Sequence, residues 1–238
     1  MLSYDLHIHS CLSPCGEDDM TPGNILGMAS LIGLDLIALT DHNSCWNCPS
    51  LLAQAEGLPT RVIPGMELTT CEEVHVLCYF TALADAMAFD AYVAAHLLPV
   101  ANNPAIFGNQ LLCNEQDEIC GSCDPLLISS TDISFFRLAP LLADYHGIMV
   151  PVHIDKHSNS LISQLGFVPE GIDFPYFEVH DMASAEGLRK RFPLLRDVPA
   201  LCSSDAHRLE GLHEREFFIA RTPESCLPFR SGTGKISL

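Results

Sequence analysis

His7 and His9 stand two residues apart in the apolar run Tyr4 to His9. In an extended strand residues i and i+2 face one side, so both imidazoles can reach one metal ion. Such a pair alone is a weak signal, because two histidines at this spacing also arise as ordinary core or surface residues. It gains weight from what ends the other apolar runs: Thr40-Asp41-His42, Gly65-Met66-Glu67, Pro151-Val152-His153 and Ser204-Asp205-Ala206-His207. In parallel α/β barrels the carboxyl ends of the strands form one face, where side chains distant in sequence converge. His, Asp and Glu without Cys are a ligand set suited to Zn, Mn or Fe, and a shared carboxylate can bridge two ions.

The elements that must position these residues can be read from apolar runs and their punctuation. Strands are expected near Tyr4 to His9, Leu34 to Thr40, Val62 to Met66, Ile148 to His153, Phe174 to His180, Ala200 to Ser204 and Phe217 to Ala220, most followed by helical spacing. Thr21-Pro22 predicts a helix through Ile32 that stops at Gly33; Asp132 could cap another that runs through His146 and stops at Gly147. The residues from 84 to 130 break the rhythm. A helix from Ala84 to Leu98 ends before Pro99, and the Asn-, Gly- and Cys-rich stretch that follows reads as a subdomain inserted into a single α/β barrel domain spanning residues 1–238.

Composition narrows the function classes. The chain has 238 residues, 48% of them apolar, enough for a substantial core. Its 30 acidic residues against 12 Lys and Arg leave a formal charge of −18. That balance disfavours long nucleic acids, whose binding relies on cations that neutralise phosphates. A small anionic substrate remains compatible if positive charge is supplied locally, for instance by metal ions. The eleven cysteines are expected to be reduced, since a chain with this much core needs no disulfide framework. Cys45-x-x-Cys48 and Cys120-x-x-Cys123 have the spacing of half a structural zinc site, but the pairs lack regular spacing to one another. No secretory leader is read in the opening residues, and no apolar run approaches the ~20 residues of a membrane helix, so the expectation is a cytoplasmic protein. Gly232-Thr233-Gly234-Lys235 superficially suggests a phosphate loop and fails, because the first glycine would fall on Phe229 and Ile236 follows the lysine.

The ordered set His7-x-His9, Thr40-Asp41-His42, Gly65-x-Glu67, Val74-His75-Val76-Leu77, His153 and Ser204-Asp205-x-His207 resembles the PHP (polymerase and histidinol phosphatase) domain, and in particular its stand-alone bacterial phosphoesterases. The resemblance implies a distorted seven-stranded (β/α)7 barrel with three divalent metal ions, Zn, Mn or Fe. Carried over residue by residue, it assigns His7, His9, Glu67 and Asp205 to one ion. Glu67 bridges to a second ion held also by His75 and His153, and His42 and His207 hold the third. The remaining ligand falls in the loop Ser10 to Met20, where Glu17 is favoured and Asp18 is its rival. Asp41 is expected to orient His42. Glu67, Asp205 and His207 are also expected to be catalytic.

The implied chemistry is hydrolysis of a phosphate ester, in which the cations lower the pKa of a bound water and hold the phosphoryl oxygens. Lys156 and Arg208 are placed by sequence to reach a phosphate at the rim. The favoured substrate is small and of nucleotide type, a phosphomonoester or 3′,5′-bisphosphate. Competing readings are histidinol-phosphate phosphatase, a nuclease-type phosphodiesterase, and a regulatory protein that keeps metals without turnover.

Overall fold

The structure, a computed structural model, describes residues 1–220, so the Gly232 to Ser237 segment lies outside it. β1 (Leu2–Ile8), α1 (Pro22–Ile32), β2 (Leu36–Leu39), α2 (Cys48–Ala55) and β3 (Arg61–Thr69) form parallel βα units. The start and stop of α1 follow the local chemistry. The Thr21 hydroxyl accepts from the Asn24 N–H, Pro22 opens the helix, and Gly33 closes it at φ 83°.

The direction then reverses. β4 (His75–Phe80) pairs antiparallel with β3, Thr69 opposite His75 and Glu67 opposite Leu77. Gly65 permits the approach, because a Cβ there would lie 2.7 Å from the Cys78 carbonyl oxygen. The chain continues through α3 (Leu83–His96), α4 (Pro104–Phe107), the hairpin β5 (Leu111–Cys113) and β6 (Ile119–Ser122), and α5 (Phe135–Asp144). The cap of α5 is Ser134, whose hydroxyl accepts from the Phe136 N–H, and not the expected Asp132. β7 (Gly147–Pro151) pairs antiparallel with β4. After α6 (Leu161–Leu165), β8 (Phe177–Glu178), α7 (Ala185–Arg191) and β9 (Ala200–Leu201), β10 (Phe218–Ile219) returns antiparallel to β1.

The main sheet has the order β10-β1-β2-β3-β4-β7, curls into a half-barrel, and leaves β8 and β9 as a separate parallel pair. Each expected strand coincides with an observed one. The uniform seven-stranded (β/α)7 pattern does not appear among the described residues: the continuous sheet has six strands of mixed direction. The strand of this sheet missing from the sequence reading, β4, follows β3 through a short turn with no helix between them.

Period-two alternation sorts the strand side chains into two layers. Leu36, Ala38, Leu77, Tyr79, Val150 and Val152 fill the concave side, while Ile37, Leu39, Val76, Cys78 and Met149 pack outward under the helices. β1 departs from this rule. Leu6 belongs to the inner layer and Ile8 to the outer, so parity flips across the register irregularity between Asp5 and Ile8. Bulges of this kind re-aim side chains beside functional sites. Among the described residues no helix is long and apolar enough to cross a membrane.

Candidate metal centre

Backbone pairing beyond the strand ends assembles the site. Ile8 bridges Ala206, with the His9 N–H donating to the Ala206 carbonyl at 2.9 Å, so His7 and His9 flank one partner while Asp205 and His207 flank the other. His42 bridges Glu67 in the same way. His75 enters because β4 runs backwards and therefore begins where β3 ends. Val152 N–H reaches the His75 carbonyl and brings His153 alongside. His153 and Asp205 sit at φ 33° and 54°, backbone strain that surrounding structure must hold and that gathers at functional sites.

The side chains meet closely. His7 Nε2 lies 3.2 Å from His9 Nε2, 3.5 Å from Glu67 Oε1 and 3.5 Å from Asp205 Oδ1; His9 Nε2 is 3.4 Å from Glu67 Oε2 and from Asp205 Oδ1. Four ligand atoms set about 2.1 Å from one ion at tetrahedral corners would be about 3.4 Å apart. Glu67 Oε1 also meets His75 Nδ1 at 2.9 Å and His153 Nε2 at 3.2 Å, while Oε2 meets His42 Nδ1 at 3.0 Å. Ligand atoms fall within 4.8 Å of one another in the groups His7-His9-Glu67, His9-His42-His207 and His42-Glu67-His75. These groups fit divalent-cation binding.

Outer contacts set the tautomers. His7 Nδ1 lies 2.9 Å from the buried Glu178 carboxylate, which can only accept when ionised. Ser13 Oγ donates to Asp41 at 2.7 Å, so towards His9 Nδ1, at 2.9 Å, it must accept. Both rings thereby turn a bare Nε2 inward, the arrangement by which ligand histidines are oriented. Two such lone pairs 3.2 Å apart repel unless a cation lies between them. Without an ion a proton takes that place: burial lowers His7, but the carboxylates of Glu178, Asp205 and Glu67 more than offset it and raise the imidazole well above its ordinary value. Burial likewise raises Glu67 and Asp205, yet the surrounding imidazoles hold both below the usual carboxylate range. His153 Nδ1 is buried without a hydrogen-bond partner, and among the described residues the only group facing the buried His42 Nδ1 at short range is Glu67 Oε2 at 3.0 Å.

Not every expected residue joins this cluster in the expected way. Asp41 accepts from Ser10 N–H, Ser10 Oγ and Ser13 Oγ, and so acts on the His9 ring and, through Ser13, on the His42 N–H. Lys156 Nζ donates to Asp205 Oδ2 at 2.8 Å, at the edge of the cluster. Arg208 is exposed, its Nη1 3.8 Å from Glu210. Glu17 is exposed and its backbone N–H donates to the His207 carbonyl. The side chain that meets His42 and His207 in that loop is Cys15: burial raises its thiol, and hydrogen bonds with the two histidines outweigh this and lower it to about 7.

Sequence reasoning missed Ser13, Cys15 and Glu178. Glu178 had a visible signal, an acidic residue inside the apolar run Phe174 to His180. His180, which ends the same run, is exposed.

No protein-family model matches the chain, and no curated protein sequence does. Solved structures do. The lesion-specific endonuclease Q from Pyrococcus furiosus matches with a TM-score of 0.64 at 18% identity, covering 90% of this chain and 50% of its own. The chain thus spans about half the length of that enzyme. An amidohydrolase from Chromobacterium violaceum with bound sulfate matches at TM-score 0.60 and 17% identity over 94% of this chain and 95% of its own. A protein from Bifidobacterium adolescentis described as a metal-dependent phosphoesterase matches at 0.52 and 17% over 86% and 87%.

Endonuclease Q has also been solved with a 27-mer duplex carrying an abasic lesion at the active site, and that complex matches 87% of this chain with a TM-score of 0.60. The exclusion of long nucleic acid on net charge is therefore withdrawn. Net charge is a sum over the whole surface, whereas a phosphate backbone meets one face, where metal ions and a few cations set the local field. At these identities the likeness is one of fold, and it supports a PHP-like fold for this chain.

Proposed function

We propose that the chain is a metal-dependent hydrolase of phosphate esters. His7, His9, Glu67 and Asp205 hold one divalent ion, Glu67, His75 and His153 a second, and His42 and His207 a third, the metals being Zn, Mn or Fe. The observation that carries this reading is Glu67, a buried carboxylate within 3.5 Å of ring nitrogens of His7, His9, His42, His75 and His153. One carboxylate among five imidazoles suits a bridging ligand.

The bound ions would supply Lewis-acid polarisation and charge neutralisation at the phosphoryl oxygens. This chain's own groups do the rest. Glu178 and Ser13 keep the Nδ1 protons of His7 and His9 outward. Asp205 divides its oxygens, Oδ1 toward the two histidines and Oδ2 toward Lys156, so the ammonium stands where a phosphoryl group would enter. His207, its Nδ1 held by the Asp205 carbonyl at 2.8 Å, is partly exposed and lies at the mouth, placed to pass a proton to the departing oxygen. Arg208 binds phosphate at the rim. A cavity of about 500 Å³ beside Lys156, lined also by His157, Ser163, Ser184 and Arg191, gives room and positive charge for the remainder of the substrate.

The ester is of nucleotide type, either a free phosphomonoester or 3′,5′-bisphosphate or a linkage within nucleic acid. The test is to assay bound metals, then compare phosphate release from nucleoside monophosphates, bisphosphates and histidinol phosphate with cleavage of an abasic-site duplex, before and after chelation. Turnover that chelation abolishes and metal restores is expected. A metal-loaded protein inert on every ester would reject the hydrolase reading in favour of a binding role.

A further inference from the structure

Asp5 lies two residues before His7 on β1, fully buried, and its carboxylate serves a segment about two hundred positions away. Oδ1 accepts from the Ser204 N–H and Oδ2 from the His213 N–H, each at 3.0 Å. One side chain thereby closes the base of the loop between them, residues 205–212, which carries both Asp205 and His207. A loop whose ends are held together in this way is a compact unit and not a free segment. The same loop is stitched to β1 beside the clamp. The Leu6 N–H donates to Ser203 Oγ at 3.3 Å, the Ser204 hydroxyl donates to the His7 carbonyl at 3.3 Å, and the Ala206 N–H donates to Ser204 Oγ at 3.1 Å.

The clamp has strain to hold. Asp205, next to the clamped Ser204, has φ 54°, a left-handed conformation that a non-glycine residue keeps only where its surroundings impose it. The ligands of the second ion are held by other means. Glu67 and His75 belong to paired strands, and His153 is fixed through its neighbours, the Val152 N–H on the His75 carbonyl and the Ile154 N–H on the Glu178 carbonyl.

Building on the metal-centre reading above, we propose that Asp5 is a positioning residue for two of the three ions: by clamping the 205–212 loop it keeps Asp205 and His207 aimed at the centre, while the ion held by Glu67, His75 and His153 is independent of it. A carboxylate suits this task because both of its oxygens accept, whereas an asparagine has one acceptor and turns an N–H toward the second backbone donor. Asp5→Asn therefore leaves a buried N–H unpaired and opens one end of the loop.

The test is stepwise titration of the metal-stripped full chain with Co(II), with d–d absorption and chelator competition giving the number and strength of the sites, beside amide hydrogen exchange of the same metal-stripped chain. The wild type is expected to bind cobalt at several sites, and its Ser204 and His213 amides to exchange far more slowly than those of residues 208–210. In Asp5→Asn one site keeps its affinity and the others weaken about tenfold or more, and exchange quickens across residues 204–213 while β3 and β4 stay protected. Asp35→Asn, which disturbs the bond from the Ser3 N–H near the start of β1, leaves cobalt binding as it was. Cobalt sites that are unchanged in Asp5→Asn, or that all weaken alike, overturn the positioning role and leave the metal centre standing. Should Asp5→Asn not fold, the wild-type exchange decides: slow Ser204 and His213 amides support the clamp, and amides as fast as those of residues 208–210 overturn it. A wild-type chain that binds no cobalt overturns the metal-centre reading and this one with it.

Discussion

Glu178 stands behind His7, its Oε1 2.9 Å from the imidazole Nδ1 in a fully buried contact, while the opposite nitrogen of the same ring lies 3.2 Å from His9 Nε2. A carboxylate in this position fixes the tautomer and strengthens the inward nitrogen as a donor. Glu178→Gln keeps the shape but loses the charge. The expected outcome is a metal affinity about 10–100-fold lower with the fold retained, measured by competition with a chelator. Unchanged affinity would show that His7 needs no such support.

Glu67→Gln should be more damaging to function than to folding. The carboxylate meets imidazoles assigned to more than one ion, so its loss disturbs several sites at once. Metal content and turnover should both fall sharply while circular dichroism shows the fold retained. Elemental analysis beside steady-state kinetics gives the answer, and near-normal values in both would contradict the bridging role.

The metal-free protein should lose stability as pH rises. Burial lowers His42, but the Glu67 carboxylate and Cys15 beside it outweigh that and raise the imidazole to about 10. A folded-state value above the usual ~6.5 means that the contribution is fully present below about pH 6.5 and is lost as pH climbs toward 10. Melting temperatures of chelated protein should decline across that window, and His42→Gln should flatten the decline. Metal affinity should rise over the same range, because the ligand must shed its proton to bind.

Acid should act elsewhere. Burial raises Glu72, but the Phe135 N–H at 2.8 Å and the Ser134 hydroxyl hold its carboxyl below its ordinary value at the start of α5. A lowered folded-state value gives stability that is present above the unfolded value of about 4.3 and is lost as pH falls through the folded one. Glu72→Gln should cost about 1 kcal/mol near neutrality. The gap between variant and wild type in urea unfolding should close below about pH 4.

Salt should distinguish the two forms of substrate. With a formal charge of −18 the global field repels phosphate, and salt screens mainly beyond about 10 Å at 0.1 M. For a mononucleotide, moderate salt should leave kcat/KM unchanged or raise it, with Arg208→Ala raising chiefly KM, since a rim cation binds ground and transition states alike. For a duplex, kcat/KM should fall steeply with salt through counterion return. Kinetics on both substrates in one buffer series would show which pattern the preferred substrate follows.

Residue chemistry at the strand ends, helix α1 with its Thr21 cap and Gly33 stop, and the positions of seven strands could all be read from the chain, because each depends on contacts within a few residues or on period-two burial. The same locality explains the convergence of His7, His9, His42, Glu67, His153, Asp205 and His207: strand ends on one edge have few places to point. Other features required partners far away in sequence. β4 follows β3 through a turn, so only the antiparallel pairing of Thr69 with His75 reveals that His75 begins at the site. Parity in β1 flips at a bulge that depends on its pairing with β2. Glu178 becomes the support of His7 only when residues 171 positions apart are packed together. In the loop after His9, counting back from Thr21-Pro22 favoured Glu17, but the loop's bonds to Asp41, His207 and Asn109 decide its course, and they leave the Glu17 side chain exposed with its backbone N–H on the His207 carbonyl. Net charge, legible at once, says nothing of how charge is distributed over a face, and so the tertiary likeness to a duplex-bound enzyme overrode it.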